Sequence, residues 1–417
     1  MSPWFYLAIV SLSIGGLLAL LVAIARTPIL HSIFPEGYFY HALAGHVDLA
    51  IVVFLLSFSV FLWERTFKKV SNISFLFAFS GFLNIALSSL LGHGKVVSNN
   101  YLPTIDDALF LAGAGFFFFG FWLATIELLP KARPFSKDPI IHFPSIAIIL
   151  SFIMLISFLL SIPKAGSKSE LYAFYERLYW APGHIQQFLN GAMLLYFWYF
   201  ILARNSRIGI LRLGGLIFII ASGLQAIVPI IFNDPISKNA KIFSEILYAV
   251  GLGIPIILHL LSLSKNLKPR FAETKSVGAI MSMLLFSLGA IIAYAGLDAD
   301  LRIPAHYHGM VTAITLGFMT LSYDALSRFN RLTLTQVYLY SSGMVLFVIG
   351  LYFAGLLGAP RKTFGTAFTE NPAILISLGV MGFGTALAVA GGVLFVSYLL
   401  YLALKRVLEE GRSQGAG

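Results

Sequence analysis

Apolar runs of about twenty residues alternate with short polar connections along almost the whole chain. Twelve such runs cover roughly 4–26, 40–63, 73–92, 105–129, 141–162, 182–204, 210–233, 240–264, 276–295, 304–327, 334–357 and 372–404. At 1.5 Å rise per residue, each can cross about 30 Å of hydrocarbon as a helix. No hydrophilic stretch between them is long enough for a soluble domain. The pattern predicts an all-α membrane protein with twelve transmembrane helices in one domain, residues 1–417.

Composition agrees: 58% of the residues are apolar and 11% charged, and the mean hydropathy is +0.87, a balance of membrane proteins. The charges then set an orientation. With the N-terminus inside, Arg65, Lys68, Lys69, Lys131, Arg133, Lys137, Arg204, Arg207, Arg212, Lys265, Lys268, Arg270, Lys275, Arg328, Arg331, Lys405, Arg406 and Arg412 all fall on the cytoplasmic side. These are 18 of the 28 basic residues. The positive-inside rule therefore predicts both termini inside. The net charge of +10 follows from this bias, so no nucleic-acid partner is expected. The first run lacks a preceding basic stretch and a small-residue cleavage site, which reads as a first helix and not a signal peptide. The absence of cysteine excludes disulfides, thiolate haem ligands, iron–sulfur clusters and thiolate-bridged copper centres.

Histidine placement points to chemistry. His46, His184, His306 and His308 each fall near the start of an even-numbered run and so form one layer in the outer half of the bilayer. His306 and His308 are two residues apart, roughly 200° around a helix, so they leave on opposite faces and cannot share one metal. Ionisable groups in membrane helices are costly and usually functional. The spacing suits axial ligation of two haems flanking one helix, or two polar-pocket histidines bonded to backbone carbonyls. His41 lies about 140° from His46 around the same helix, so it points elsewhere, towards a haem propionate. His31 and His142 read as solvated, and His259 as structural.

Several motifs resemble the haem–copper oxidase superfamily, specifically its twelve-helix catalytic subunit I. Ala305-His306-Tyr307-His308 is similar to that family's Ala-His-aromatic-His signature. Trp180-Ala181-Pro182-Gly183-His184 is similar to the Trp-x-x-Gly-His that carries a copper ligand. Gly358-Ala359-Pro360-Arg361-Lys362 is similar to the Gly-x-Pro-Arg-Arg whose cations bind haem propionates. The resemblance implies that His46 and His308 clamp a low-spin haem, that His306 holds a high-spin haem and that His184 binds copper. It also implies that Arg361 and Lys362 anchor propionates, with Asp300 near the propionate and proton-exit region.

The match has gaps. The family takes two further copper ligands from a His-His pair on helix 7, whereas Leu213 to Asn233 contains no histidine. Gln225, Asn233 and Asp234 are the nearest polar groups, and their oxygens suit copper(I) poorly. After His184, where the family often carries glutamate or tyrosine, stand Gln186, Gln187 and Phe188. Glu127 and Asp324 are the inner-half carboxylates.

The resemblance implies a divergent respiratory subunit with two haems, b-type expected, that passes electrons to O2 at the high-spin haem. The alternatives are a nitric oxide reductase-like enzyme, or a non-catalytic dihaem relay or gas sensor in a larger complex. Partner subunits and a cytochrome c-type or copper-protein donor, or quinol, would supply electrons. The setting would be a prokaryotic plasma (inner) membrane, with the haem layer near its outer face.

Overall fold

Every apolar run folds as a helix in the computed structural model, which describes residues 1–414 apart from Phe34, Asn205 and Asn266. The side chains of His31, Ile33, Leu404 and residues 406–414 also lie outside the description, and with them the expectations for His31, Arg406 and Arg412. Eleven of the described helices are long and apolar enough to cross a membrane. They are α1 (Pro3–Ile24), α2 (Glu36–Thr66), α3 (Asn72–Leu91), α4 (Ala108–Lys131), α5 (Pro139–Lys164), α6 (Lys168–Leu202), α7 (Gly209–Ile231), α8 (Lys238–Ser264), α9 (Thr274–Ala295), α11 (Arg331–Leu356) and α12 (Pro372–Ala403). Between α9 and α11 runs α10 (Arg302–Ala325), 24 residues long. It is less apolar because it carries His306, Tyr307 and His308.

Helix ends follow local chemistry. Ser71, Asp107, Asp138 and Ser237 accept backbone N–H bonds at helix starts, satisfying donors that a helix leaves unpaired. One boundary departs from expectation. Helix α6 begins at Lys168, so His184 stands sixteen residues inside it and not near its start. Pro182 sits within this helix without ending it, because residues 180 to 200 are almost continuously buried and packing overrides the local break. His46 is likewise about 15 Å along α2.

The helices group into two compact units, Met1–Ala25 with Ser32–Pro269, and Arg26–His31 with Arg270–Gly417. In the first, α3 packs along α4, α1 against α2, and α6 lies among α5, α7 and α8. In the second, α10 packs between α9 and α11, and α12 lies along α11. Its core includes Ile292, Leu301, Ala305, Val348, Leu351 and Met381. Lipid is as apolar as leucine, so close backbone approach and hydrogen bonds hold such helices together.

Two helices contain a π-helical turn: Asp48–Val53 in α2 and Leu247–Gly253 in α8. A short antiparallel hairpin, β1 (Lys95–Val97) with β2 (Thr104–Asp106), joins α3 to α4 in the register Val96 opposite Ile105. Side chains from two helices clamp it. His41 Nε2 lies 3.1 Å from the Gly94 carbonyl, and the Tyr175 hydroxyl donates to Asp106 at 2.6 Å. The hairpin loop carries Tyr101 into the unit's interior.

Candidate functional site

The candidate haem ligands share one local arrangement. His46 Nδ1 lies 3.0 Å from the Gly15 carbonyl of α1, and His306 Nδ1 lies 2.9 Å from the Gly289 carbonyl of α9. A carbonyl only accepts, so each Nδ1 carries the proton and each neutral ring presents an Nε2 lone pair. That tautomer, fixed by a second group, is the one metal-binding histidines use. Both acceptors are glycines at points of close helix approach. A Cβ on Gly15 would lie 2.9 Å from Ala50 N, and one on Gly289 would lie 2.8 Å from His306 O. The missing side chain lets the helices approach until carbonyl and imidazole meet. His308 Nδ1 donates instead within its own helix, to Pro304 O at 2.7 Å, and its ring stacks on Tyr307 and meets Phe347 edge-on.

His184 differs at its second nitrogen. Its Nδ1 donates to Trp180 O at 2.7 Å, but its Nε2 lies 3.0 Å from the Tyr101 hydroxyl. With the proton on Nδ1, that hydroxyl is the donor. Tyr248, from the π-helical turn of α8, stacks on the imidazole at 4.4 Å between ring centroids. Its hydroxyl donates to the His184 carbonyl at 3.3 Å and stands 3.5 Å from that of Tyr101. Trp180 closes the box, 4.5 Å from the His184 ring, and its indole N–H donates to Ser244. The copper expected here does not fit this donor set: the imidazole nitrogen that would bind it accepts a phenol, and the other groups around it are aromatic. Two of the nearest polar groups in sequence, poor copper(I) donors already, are placed as follows. Asp234 is paired with Arg177 at 3.0 Å, which, against the upward push of partial burial, holds its carboxyl below the usual range. Gln225 is fully buried, with neither amide atom hydrogen-bonded among the described residues.

The loop after α11 carries Arg361 and Lys362, the latter in the left-handed region at φ 56°. Ala359 and Pro360 pin this loop to the start of α10 through Leu301 N donating to Ala359 O and a bridge from Asp300 to Pro360. Arg26, buried and not singled out by sequence, donates to Pro360 O at 3.0 Å. Asp300 is itself engaged. Arg302 reaches its carboxylate at 2.8 to 3.1 Å and also binds Asp298. Burial pushes the Asp300 carboxyl up, but the Arg302 hydrogen bonds prevail and hold it below the ordinary carboxylate range.

Other polar residues settle into structural places. Glu127 accepts the backbone and hydroxyl of Ser71 at 2.7 and 2.6 Å, and Asp324 pairs with Lys275 at 2.7 Å. His142, expected in solvent, is fully buried against Phe143 and Gly215, because α7 packs over the first turn of α5. His259 accepts or donates at Nδ1 with the Tyr199 hydroxyl, 2.9 Å away. Asp48, two residues beyond His46, is wholly buried, and neither carboxylate oxygen has a hydrogen-bond partner among the described residues.

Tyr101, Tyr248, Glu176 and Arg26 were not legible in advance. Only the Trp180-x-x-Gly183-His184 spacing marked the place, and nothing in sequence says that a hairpin returns Tyr101 to it.

The sequence profile of the family described as cytochrome C and quinol oxidase polypeptide I matches residues 2–387. A protein of Aquifex aeolicus (strain VF5), described as uncharacterized, is 38% identical over 325 residues, 77% of this chain and 83% of its own length. A Rickettsia prowazekii (strain Madrid E) protein, also described as uncharacterized, is 26% identical over 490 aligned positions, 95% of this chain and 94% of its own.

Proposed function

The chain belongs to the cytochrome C and quinol oxidase polypeptide I family, and from that premise we propose that it is a divergent respiratory subunit I. In this reading it binds a low-spin and a high-spin haem and passes electrons to O2 at the second. One observation carries it: His46 and His306 each give their Nδ1–H to a glycine carbonyl of a neighbouring helix, which orients Nε2 and raises its basicity for iron.

In the proposal all twelve helices span the bilayer as one domain with both termini inside. His46 and His308 hold the low-spin haem, His306 holds the high-spin haem, and b-type haem is expected. When bound, the haems supply the redox couples and an open coordination position for a diatomic gas. Arg361 and Lys362 bind propionates by charge-assisted hydrogen bonds. Buried Arg26 fixes their loop through Pro360. Electrons enter from outside the chain, which has no thiolates, through a cytochrome c-type or copper-protein partner or from quinol. The setting is a prokaryotic plasma membrane, with the haems towards its outer face.

A second reading, a dihaem relay or gas sensor within a larger complex, draws support from the hydrogen bond between Tyr101 and His184 Nε2. Nitric oxide is the other diatomic to test.

Haem analysis with carbon monoxide difference spectra tests both readings. Two haems per chain are expected, with carbon monoxide on one. His308→Ala should remove the low-spin spectrum, and His306→Ala should abolish carbon monoxide binding while sparing it. O2 uptake with an artificial donor then separates oxidase from relay. Protein purified without haem, or variants with both spectra intact, would overturn the assignment.

A further inference from the structure

Tyr101 is held in place by three features on one stretch of α6. Glu176, itself buried, accepts both the backbone N–H of Asn100, at 3.0 Å, and that residue's side-chain amide, and so fixes the hairpin loop. Gly183 provides the seat, since a Cβ there would overlap the Tyr101 ring. His184 receives the phenol at Nε2. The ring also packs edge-on against Trp180 at 5.9 Å and on His184 at 4.7 Å.

The glycine and histidine of the Trp-x-x-Gly-His motif therefore both serve a tyrosine from another element. A neutral phenol is a weak ligand, with an ordinary pKa near 10, whereas copper sites draw on imidazole and thiolate donors. Within this unit, His184 Nε2 is surrounded by Tyr101, Tyr248 and Trp180.

We infer that His184 holds no copper in this protein and that a hydrogen-bonded Tyr101–His184–Tyr248 triad occupies the place of the metal site. The inference deepens the haem reading given above. It assigns to this side of the protein hydrogen-bond donation from two phenols in place of a second redox metal.

The test uses full-length protein purified in detergent from cells grown with added copper. Iron and copper are counted on the same sample, and copper(I) affinity is measured by competition with bathocuproine disulfonate for the wild type, Tyr101→Phe and His184→Ala. The wild type should hold less than about 0.1 copper per chain, far below the unit stoichiometry that a built site gives. Tyr101→Phe, which releases Nε2, should bind copper(I) about tenfold tighter, the order expected when one competing hydrogen bond is removed. His184→Ala should lack that gain.

About one copper per wild-type chain, lost in His184→Ala, would overturn the inference. So would an unchanged affinity in Tyr101→Phe. The wild-type count decides even where a variant folds poorly. Copper with haem sinks the triad alone, whereas absence of haem sinks the functional reading and leaves the copper result to stand.

Discussion

His306 Nδ1 lies 2.9 Å from the carbonyl oxygen of Gly289, and the same glycine is a point of close approach between α9 and α10, where an added Cβ would lie 2.8 Å from His306 O. Close packing and the orientation of the imidazole are one feature here. Gly289→Val should part the helices and strip the imidazole of its acceptor. Overpacking of this kind costs about 1–3 kcal/mol. Thermal melting should fall accordingly, and the carbon monoxide difference spectrum should weaken. A full-strength spectrum would separate the glycine from the ligand.

His46 and His308 are proposed to share one haem from two helices. His46→Ala and His308→Ala should therefore give the same low-spin spectral loss, and the double variant should lose no more than either alone. Two distinct spectra, or an additive loss, would show that the two histidines serve different groups.

Part of the acid sensitivity should trace to Asp300, with Asp234, held low by Arg177, contributing separately. Its folded-state carboxyl titrates below the ordinary value because Arg302 hydrogen-bonds the charged form. The stabilisation is therefore fully present above an unfolded pKa of about 3.9 and is lost as pH falls through the lower folded value. Melting of the wild type between about pH 7 and about pH 2 should show this loss, and Asp300→Asn should reduce it. An unaltered acid profile in the variant would place the sensitive group elsewhere.

Tyr199 and His259 form a buried pair at 2.9 Å, on helices other than α2 and α10, which carry the proposed haem ligands. Tyr199→Phe leaves an imidazole nitrogen without its partner, at about 1–3 kcal/mol. Stability should drop while both haem spectra stay unchanged. A spectral shift would tie this pair to the redox site.

The sequence by itself determined the helices and the candidate ligands. Membrane helices satisfy their backbone internally and bury apolar side chains in lipid, so runs of about twenty residues reveal them without knowledge of neighbours. The Ala305-His306-Tyr307-His308 and Gly358-Ala359-Pro360-Arg361-Lys362 motifs are contiguous and were equally legible. The sequence also showed that α7 lacks a histidine pair. The surroundings of His184 were decided only by the tertiary structure. The Tyr101 hairpin, the glycine carbonyls behind His46 and His306, the Arg302 pair that engages Asp300 and the burial of His142 all join residues distant in the chain. Such contacts depend on which helices approach closely enough for side chains to meet, and no local periodicity encodes that distance.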